Sequence, residues 1–331
     1  MTLAELGVTV AASRQYIQRL ETDDEICPSQ DVLDALSEAL QVEDNFFFDR
    51  IEEVREDQGH FRKLQTTPLH LRTTVLSYAT LFTLFVRRLE DFVDLPPVNI
   101  PKAEITDRRD IERAAETCRK EWGLGLDAPI MNVTRTLENA GVVVTTFEGV
   151  SEKIDAFSLL RGRPIIVRSI DKDSTSRARF DLAHECGHLV IHDAIVTGDT
   201  QTEGEANYFA SAFLLPRMAF IKEFPKGQRI DWRLLFEMKK RWGVSVQAII
   251  RRAYDLGIMS AIEYRNANVY ISRKQWKRSE PNEPLPEMPE IIPAALTYLR
   301  EEEGLMVADL AEGLHIKPEI LYTLGVYDIA A

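Results

Sequence analysis

The sequence predicts an α+β protein: a small antiparallel or mixed sheet and a histidine-bearing helix form the core, with mainly helical N- and C-terminal regions on either side. Three observations carry this reading. Short β-rich runs cluster between residues 142 and 168. Apolar residues on both sides of that block recur at helical rather than alternating spacing. The composition of the 331 residues is that of an ordinary folded protein, 45% apolar and 28% charged with 16 Gly and 15 Pro, which excludes collagen-like, low-complexity and wholly disordered chains.

The length predicts two or three domains. Cys27, Cys118 and Cys186 are odd in number and far apart, so they form neither a disulfide framework nor a CxxC motif, and reduced thiols fit the cytoplasm. The first residues, MTLAELGVTV, lack a basic region followed by an apolar one, so no signal peptide is expected. The most apolar stretch, Thr73–Val86, is shorter than the roughly 18 residues a membrane span needs, and no membrane partner is expected. The net charge of −13 argues against general nucleic-acid affinity. Its distribution is uneven. Residues 1–50 carry three cations against eleven acids, whereas residues 226–278 carry thirteen cations against four acids.

Residues 1–50 read as short helices. Leu3, Leu6 and Val10 share a face, Ser13 can cap the helix SRQYIQRLE, and Asp31–Leu40 is amphipathic. The order SRQYIQRLE, PSQDVLDALSEAL and the aromatic run Phe46–Phe48 resembles the later helices of the Xre-type helix-turn-helix fold. That resemblance implies DNA contacts from Arg14, Gln15 and Gln18; a docking or dimerisation module is the other reading. Residues 51–104 form a helical spacer, its helix running over His70–Val93 with an apolar and aromatic stripe that reads as core, and its end marked by LPPVNIP. Residues 105–225 are the core domain. Arg109–Trp122 and Pro129–Ala140 are helices, and Val142–Phe147, Ala156–Leu160 and Pro164–Arg168 are strands turning near Gly149 and Gly162. Residues 176–193 and 201–214 are helical. Residues 226–280 are a basic extension with helices Trp232–Trp242 and Val246–Leu256, and residues 281–331 are a proline-rich linker and a small helical unit.

The chemistry is concentrated in RFDLAHECGHLVIHD. His184 and His188 are four residues apart, so on a helix their imidazoles project from one face and can share a cation. Glu185 beside the first is placed to act on a metal-activated water, the HExxH arrangement in which two His bind zinc and the Glu is the general base. Phe180, Leu182, Ala183, Leu189, Val190 and Ile191 would bury this helix. A catalytic zinc site needs a third protein ligand, and TEGEANYFASAFLLP offers Glu203 and Glu205. His192 reads as a buried hydrogen-bonded residue at the helix end, Cys186 as a packed thiol, and Arg177 and Arg179 as a solvated helix start. His60, His70 and His315 are isolated and receive no role.

RFDLAHECGHLVIH followed by EGEANYFASAFLLP resembles the ImmA/IrrE family of zinc metallopeptidases, and IDAFSLL, RPIIVR and MKKRWGVSVQAIIRRAYDLG agree with it. The resemblance covers most of residues 105–275 and implies a zincin-like core. It implies His184, His188 and Glu203 as ligands of Zn²⁺ or another divalent metal, Glu185 as general base, and Glu205 as the alternative third ligand. It further implies an endopeptidase acting on a regulatory protein, such as an Xre-type repressor or an antitoxin. The competing reading is a DNA-binding regulator or antitoxin-like protein, a homodimer being one form of it, that uses the peptidase fold as a sensor. Substrate is expected to add as a strand to an open sheet edge at Ala156–Leu160, which follows a polar turn at Ser151–Asp155, with Ser158 as the substrate-binding residue.

Overall fold

The structure is a computed structural model that describes every residue except 24, 56–58, 61–67, 150–155, 169–173, 194, 196, 226–229, 278 and 329–331. The turn expected at 151–155 therefore lies outside the described residues. The chain forms two compact units. In chain order the first helices are α1 (Leu3–Thr9), α2 (Arg14–Thr22), α3 (Gln30–Leu40) and α4 (Leu69–Glu90). They are followed by α5 (Arg108–Glu121), α6 (Val133–Asn139), α7 (Thr175–Ile191), α8 (Thr200–Leu214) and α9 (Arg217–Glu223). The last helices are α10 (Trp232–Trp242), α11 (Val246–Asp255), α12 (Ala261–Arg273), α13 (Ile291–Tyr298), α14 (Val307–Glu312) and α15 (Pro318–Thr323). The strands are β1 (Gly59–His60), β2 (Val143–Thr145), β3 (Phe157–Arg161) and β4 (Arg163–Val167).

One unit comprises Met1–Glu53, Thr80–Val93 and Pro293–Ala331. Its α1 opens on a Thr2–Glu5 capping box and α2 on Ser13, whose hydroxyl accepts from the Tyr16 amide. Leu6, Val10, Ile17 and Leu36 are buried together between α1, α2 and α3, which leaves Arg14, Gln15 and Gln18 exposed on α2. The stripe on α4 that the sequence assigns to core is core: Val75, Ala79, Phe82, Phe85, Val86 and Leu89 are buried. At 22 residues α4 is longer than the apolar stretch read from the sequence, and by length and composition alone it could cross a membrane. The burial of that stripe is what a core helix shows.

The other unit comprises Val54–Ala79 and Asp94–Ile292. Its sheet has the order β1-β3-β4-β2. β3 and β4 form a hairpin closed by Gly162, whose φ of +72° suits a residue without Cβ. β2 joins β4 in parallel, so the sheet is mixed. β1 pairs antiparallel with β3, Gly59 opposite Leu159 and His60 opposite Ser158. The expectation that Ala156–Leu160 forms an open edge is therefore corrected: β3 lies between β4 and β1. The residues on either side of β1, 56–58 and 61–67, lie outside the described residues.

α7 lies against β3 and β4, and α8 packs beside α7. A Cβ at Gly187 would stand 3.0 Å from the buried Phe209 ring, so the glycine sets how closely the two helices approach. The segment 226–280, separated from the core in the sequence reading, shares this unit. Part of its positive charge is internal. Arg252 is fully buried and grips Glu112 through two bonds of 2.7 and 2.9 Å, while the Tyr208 hydroxyl donates to the same carboxylate at 2.9 Å. Lys239, equally buried, donates to Glu280 at 2.9 Å and to Glu283 at 2.5 Å. These bonds tie α10 and α11 to α5 and to the chain that follows α12. Removing one partner of such a pair strands a buried charge. Arg252→Met should therefore lower unfolding free energy by about 3–5 kcal/mol in urea titrations, and adding Glu112→Gln should restore part of the loss.

Candidate metal centre and active site

α7 begins at Thr175, and its 17 residues carry His184 and His188 into the interior, with His192 buried at its C-cap. The Asp199 side chain starts α8 by accepting from the amides of Gln201 and Thr202, which fixes the turn on which Glu203 lies. The two helices bring His184, His188 and Glu203 together, with one ligand atom of each within 4.8 Å of the others. The Nε2 atoms of His184 and His188 stand 3.1 Å apart, and the Glu203 carboxylate oxygens lie 3.5 and 3.4 Å from them. Ligands bound tetrahedrally at 2.0–2.1 Å from a metal ion are about 3.3 Å apart. The three donors thus already have the spacing a metal would impose. Their chemistry also fits, since two imidazoles and a carboxylate suit a borderline divalent ion.

The far sides of the imidazoles are held by a second set of bonds. His184 Nδ1 lies 3.2 Å from Asn207 Oδ1, and Asn207 Nδ2 donates to the Glu203 carbonyl at 2.7 Å. The amide orientation this requires makes His184 Nδ1 the donor and leaves the Nε2 lone pair facing the cluster. His188 Nδ1 is 2.9 Å from His192 Nδ1, and His192 Nε2 is 2.9 Å from Glu205 Oε2. Read from the carboxylate inward, His192 donates to Glu205 and accepts from His188, so His188 Nε2 is likewise left with its lone pair. Glu205 Oε1 accepts from Gln201 at 3.0 Å. Glu205 is thus drawn to His192, and Glu203 is the acid that joins the cluster. Burial pushes His188 down to about 4, which keeps it neutral.

Glu185 is 2% exposed, and the Ser158 hydroxyl donates to its Oε2 at 2.7 Å. Ser158 is fully buried at the centre of the sheet. Its assignment as a substrate-binding residue on an open strand is corrected accordingly, because its side chain holds Glu185 and its strand has neighbours on both sides. His60, which carried no assignment, is buried beside the cluster: its ring stacks on His188 at 4.9 Å with 13° between the planes, and its Nδ1 is 3.0 Å from Thr197 Oγ1. Burial lowers it to about 3. Nothing in the polar sequence around it signals this position. Arg177 and Arg179 are not a solvated helix start. Arg179 is buried, pairs with Glu287 and donates to the carbonyl of Ile130 at 2.6 Å; Arg177 donates to the carbonyls of Trp276 and Lys277. Arg14, Gln15 and Gln18 lie in the other unit and contribute nothing to this centre.

A cleft of about 1050 Å³ is lined by Glu203, Asn207 and Ser211 of α8, by Phe180 and Asp181 of α7 and by Arg251 of α11. It meets the centre at Glu203 and at Asn207, the partner of His184. Residues 137–254 match the family model for the IrrE N-terminal-like domain, Peptidase_M78. The match covers about a third of the chain and supports an ImmA/IrrE-type peptidase domain there. No curated protein matches it. The matched region holds β2, β3, β4, α7 and α8 with all three candidate ligands, and a metallopeptidase family implies a divalent metal there.

Metal content should follow the geometry. His184→Ala, His188→Ala and Glu203→Ala proteins should lose stoichiometric metal after dialysis, as measured by elemental analysis. Glu205→Ala should still bind one equivalent, with affinity weaker by about 10–100-fold because only the outer partner of His188 is lost. Metal kept by Glu203→Ala and lost by Glu205→Ala would exchange the roles of the two acids.

Proposed function

We propose that the chain is a zinc-dependent endopeptidase that cleaves a regulatory protein, with Glu185 as general base. The observation that carries this reading is the adjacency of a preformed His₂Glu cluster and a buried carboxylate fixed by a side-chain hydrogen bond. When bound, a divalent ion supplies Lewis acidity, acidifying water and polarising a carbonyl. The protein supplies the rest. His184, His188 and Glu203 would hold the ion, and Asn207 and the His192–Glu205 pair keep both imidazole lone pairs turned inward. Glu185 takes the proton of the attacking water and returns it to the leaving amine. The Ser158 hydroxyl orients that carboxylate, which makes Ser158 a positioning residue in this reading.

The endopeptidase reading, rather than an enzyme that trims termini, follows from the family resemblance, and the cleft beside Glu203 is where a substrate chain would lie. The substrate class, an Xre-type repressor or antitoxin, follows from the family resemblance of the chain. The regulator reading rests on the exposure of Arg14, Gln15 and Gln18, which lie in an acidic part of the sequence, where phosphate attraction is weak.

Glu185→Gln should bind the metal as the natural chain does and lose proteolysis by about 10²–10⁴-fold. Co-expressed with the proteins of its host and captured by affinity tag, the same variant should retain its substrate uncut. A Glu185→Gln protein that still cleaves at the natural rate contradicts the assignment.

A further inference from the structure

The proline-rich segment SEPNEPLPEMPE, residues 279–290, brings four carboxylates to the unit that holds the metal centre, and three of them meet the starts of helices. Glu280 accepts from the amides of Val246 and Gln247 at 2.8 and 3.4 Å, at the start of α11. Glu283 accepts from the Ser176 amide at 2.8 Å and from its hydroxyl at 3.1 Å, at the start of α7. Glu287 accepts from the amides of Val133 and Thr134, both at 2.9 Å, at the start of α6. The fourth, Glu290, pairs with the exposed Arg135. The first amides of a helix have no partner within it, and the positive end of its dipole favours a carboxylate. Ser245 and Asn132 also cap α11 and α6 locally, but the N-cap of α7, Ser174, makes no such bond, so the metal helix takes its side-chain cap from this segment.

The hold on α7 is double. Glu287 also pairs with the buried Arg179, and Glu283 shares the buried Lys239 of α10 with Glu280. Arg179 passes so close over Gly243 that a Cβ there would stand 2.9 Å from its Nε, which leaves the guanidinium little room to turn elsewhere. Ser176 and Arg179 precede His184 by about 12 and 8 Å along the helix axis. No large apolar side chain of the segment shares this work, since Leu285 and Met288 are 87% and 62% exposed. Its prolines lack N–H groups and fix φ, so the segment stays extended with few backbone donors of its own to satisfy.

We propose that Glu283 and Glu287 are positioning residues for the metal centre: they fix where α7 begins, and with it the place of His184 and His188 opposite Glu203. A helix moves as a stiff rod, so a shift at its first turn is carried to the ligands. The site tolerates little of this, because a displacement of about 1 Å is half the length of a 2.0–2.1 Å bond from metal to ligand. The metal-binding domain therefore reaches to residue 290, well past the residues that match the family model. The segment is also the last of its unit before the chain enters the other one at Pro293, so whatever displaces it loosens the metal helix. No step of hydrolysis enters here, and the positioning role stands or falls separately from the peptidase reading.

The test measures the Zn²⁺ affinity of the full-length chain by competition with a chromophoric chelator, and the visible absorption of the Co²⁺-loaded protein. The variants are Glu283→Ala, Glu287→Gln, Glu290→Ala, which removes only the exposed pair, and Arg252→Met, whose lost pair joins α11 to α5 and involves neither α7 nor the segment. Glu283→Ala and Glu287→Gln should weaken Zn²⁺ binding by about tenfold, the lower end of what losing an outer partner of a ligand does, and should change the Co²⁺ bands. Glu290→Ala and Arg252→Met should match the natural chain in both, because a lower global stability does not alter the affinity of molecules that remain folded. If Glu283→Ala fails to fold, Glu283→Gln, equal in length and poorer in acceptors, takes its place. Natural affinity and spectrum in the Glu283 and Glu287 variants, or equal weakening by Arg252→Met, overturns the proposal. Absence of casein hydrolysis in every protein, with Zn²⁺ affinity still following the segment, supports the positioning role and counts against the peptidase reading instead.

Discussion

Everything at this centre depends on a carboxylate held against two buried imidazoles. Glu203 faces the Nε2 atoms of His184 and His188 at 3.5 and 3.4 Å, and those nitrogens are themselves 3.1 Å apart. Such a cluster is costly for a metal-free fold, because two nitrogen lone pairs and a negative charge converge on one point. Its cost is offset by the surroundings. The helices meet across Gly187 and Phe209, and each ligand imidazole is fixed by a further side chain, Asn207 in one case and His192 in the other. A cation at the centre would satisfy all three donors together.

The same logic explains the buried charges farther out. Glu112 with Arg252, Glu287 with Arg179, and Lys239 with Glu280 and Glu283 are buried or half-buried pairs that join segments distant in sequence. Glu287 also accepts from the amides of Val133 and Thr134 at 2.9 Å, fixing the start of α6. Fully satisfied, pairs of this kind select one arrangement of the helices around α7 and α8. Two cations of the basic segment, Lys239 and Arg252, are buried in such pairs and so are not part of a phosphate-binding surface.

The sequence was most informative where periodicity and chemistry coincide. His184 and His188 four residues apart on an apolar helix were readable, as were α8 with its two acids and the hairpin turning at Gly162. Choosing Glu203 over Glu205 needed a family resemblance, because spacing alone leaves both acids open; the structure separates them through His192, which draws Glu205 away. The sheet order was not readable. A parallel β2–β4 pair leaves no hairpin signal to read, and His60 stands in a polar stretch whose only distinction is its destination. Ser158 was singled out for its place on a strand, yet its role is set by which helix that strand crosses. Arg177 and Arg179 looked like a solvated helix start because their partners, Ile130, Trp276, Lys277 and Glu287, are roughly 50 to 110 residues away.

The central claim is that this His–His–Glu cluster is a metal site with two imidazole ligands and one carboxylate. X-ray absorption at the zinc edge of the reconstituted protein tests it most directly. The account predicts a first shell of nitrogen and oxygen alone at about 2.0–2.1 Å, with outer-shell scattering from two imidazoles, and loss of one light ligand in Glu203→Gln. A sulfur shell near 2.3 Å, or an imidazole count unchanged when His184 or His188 is replaced, would contradict it.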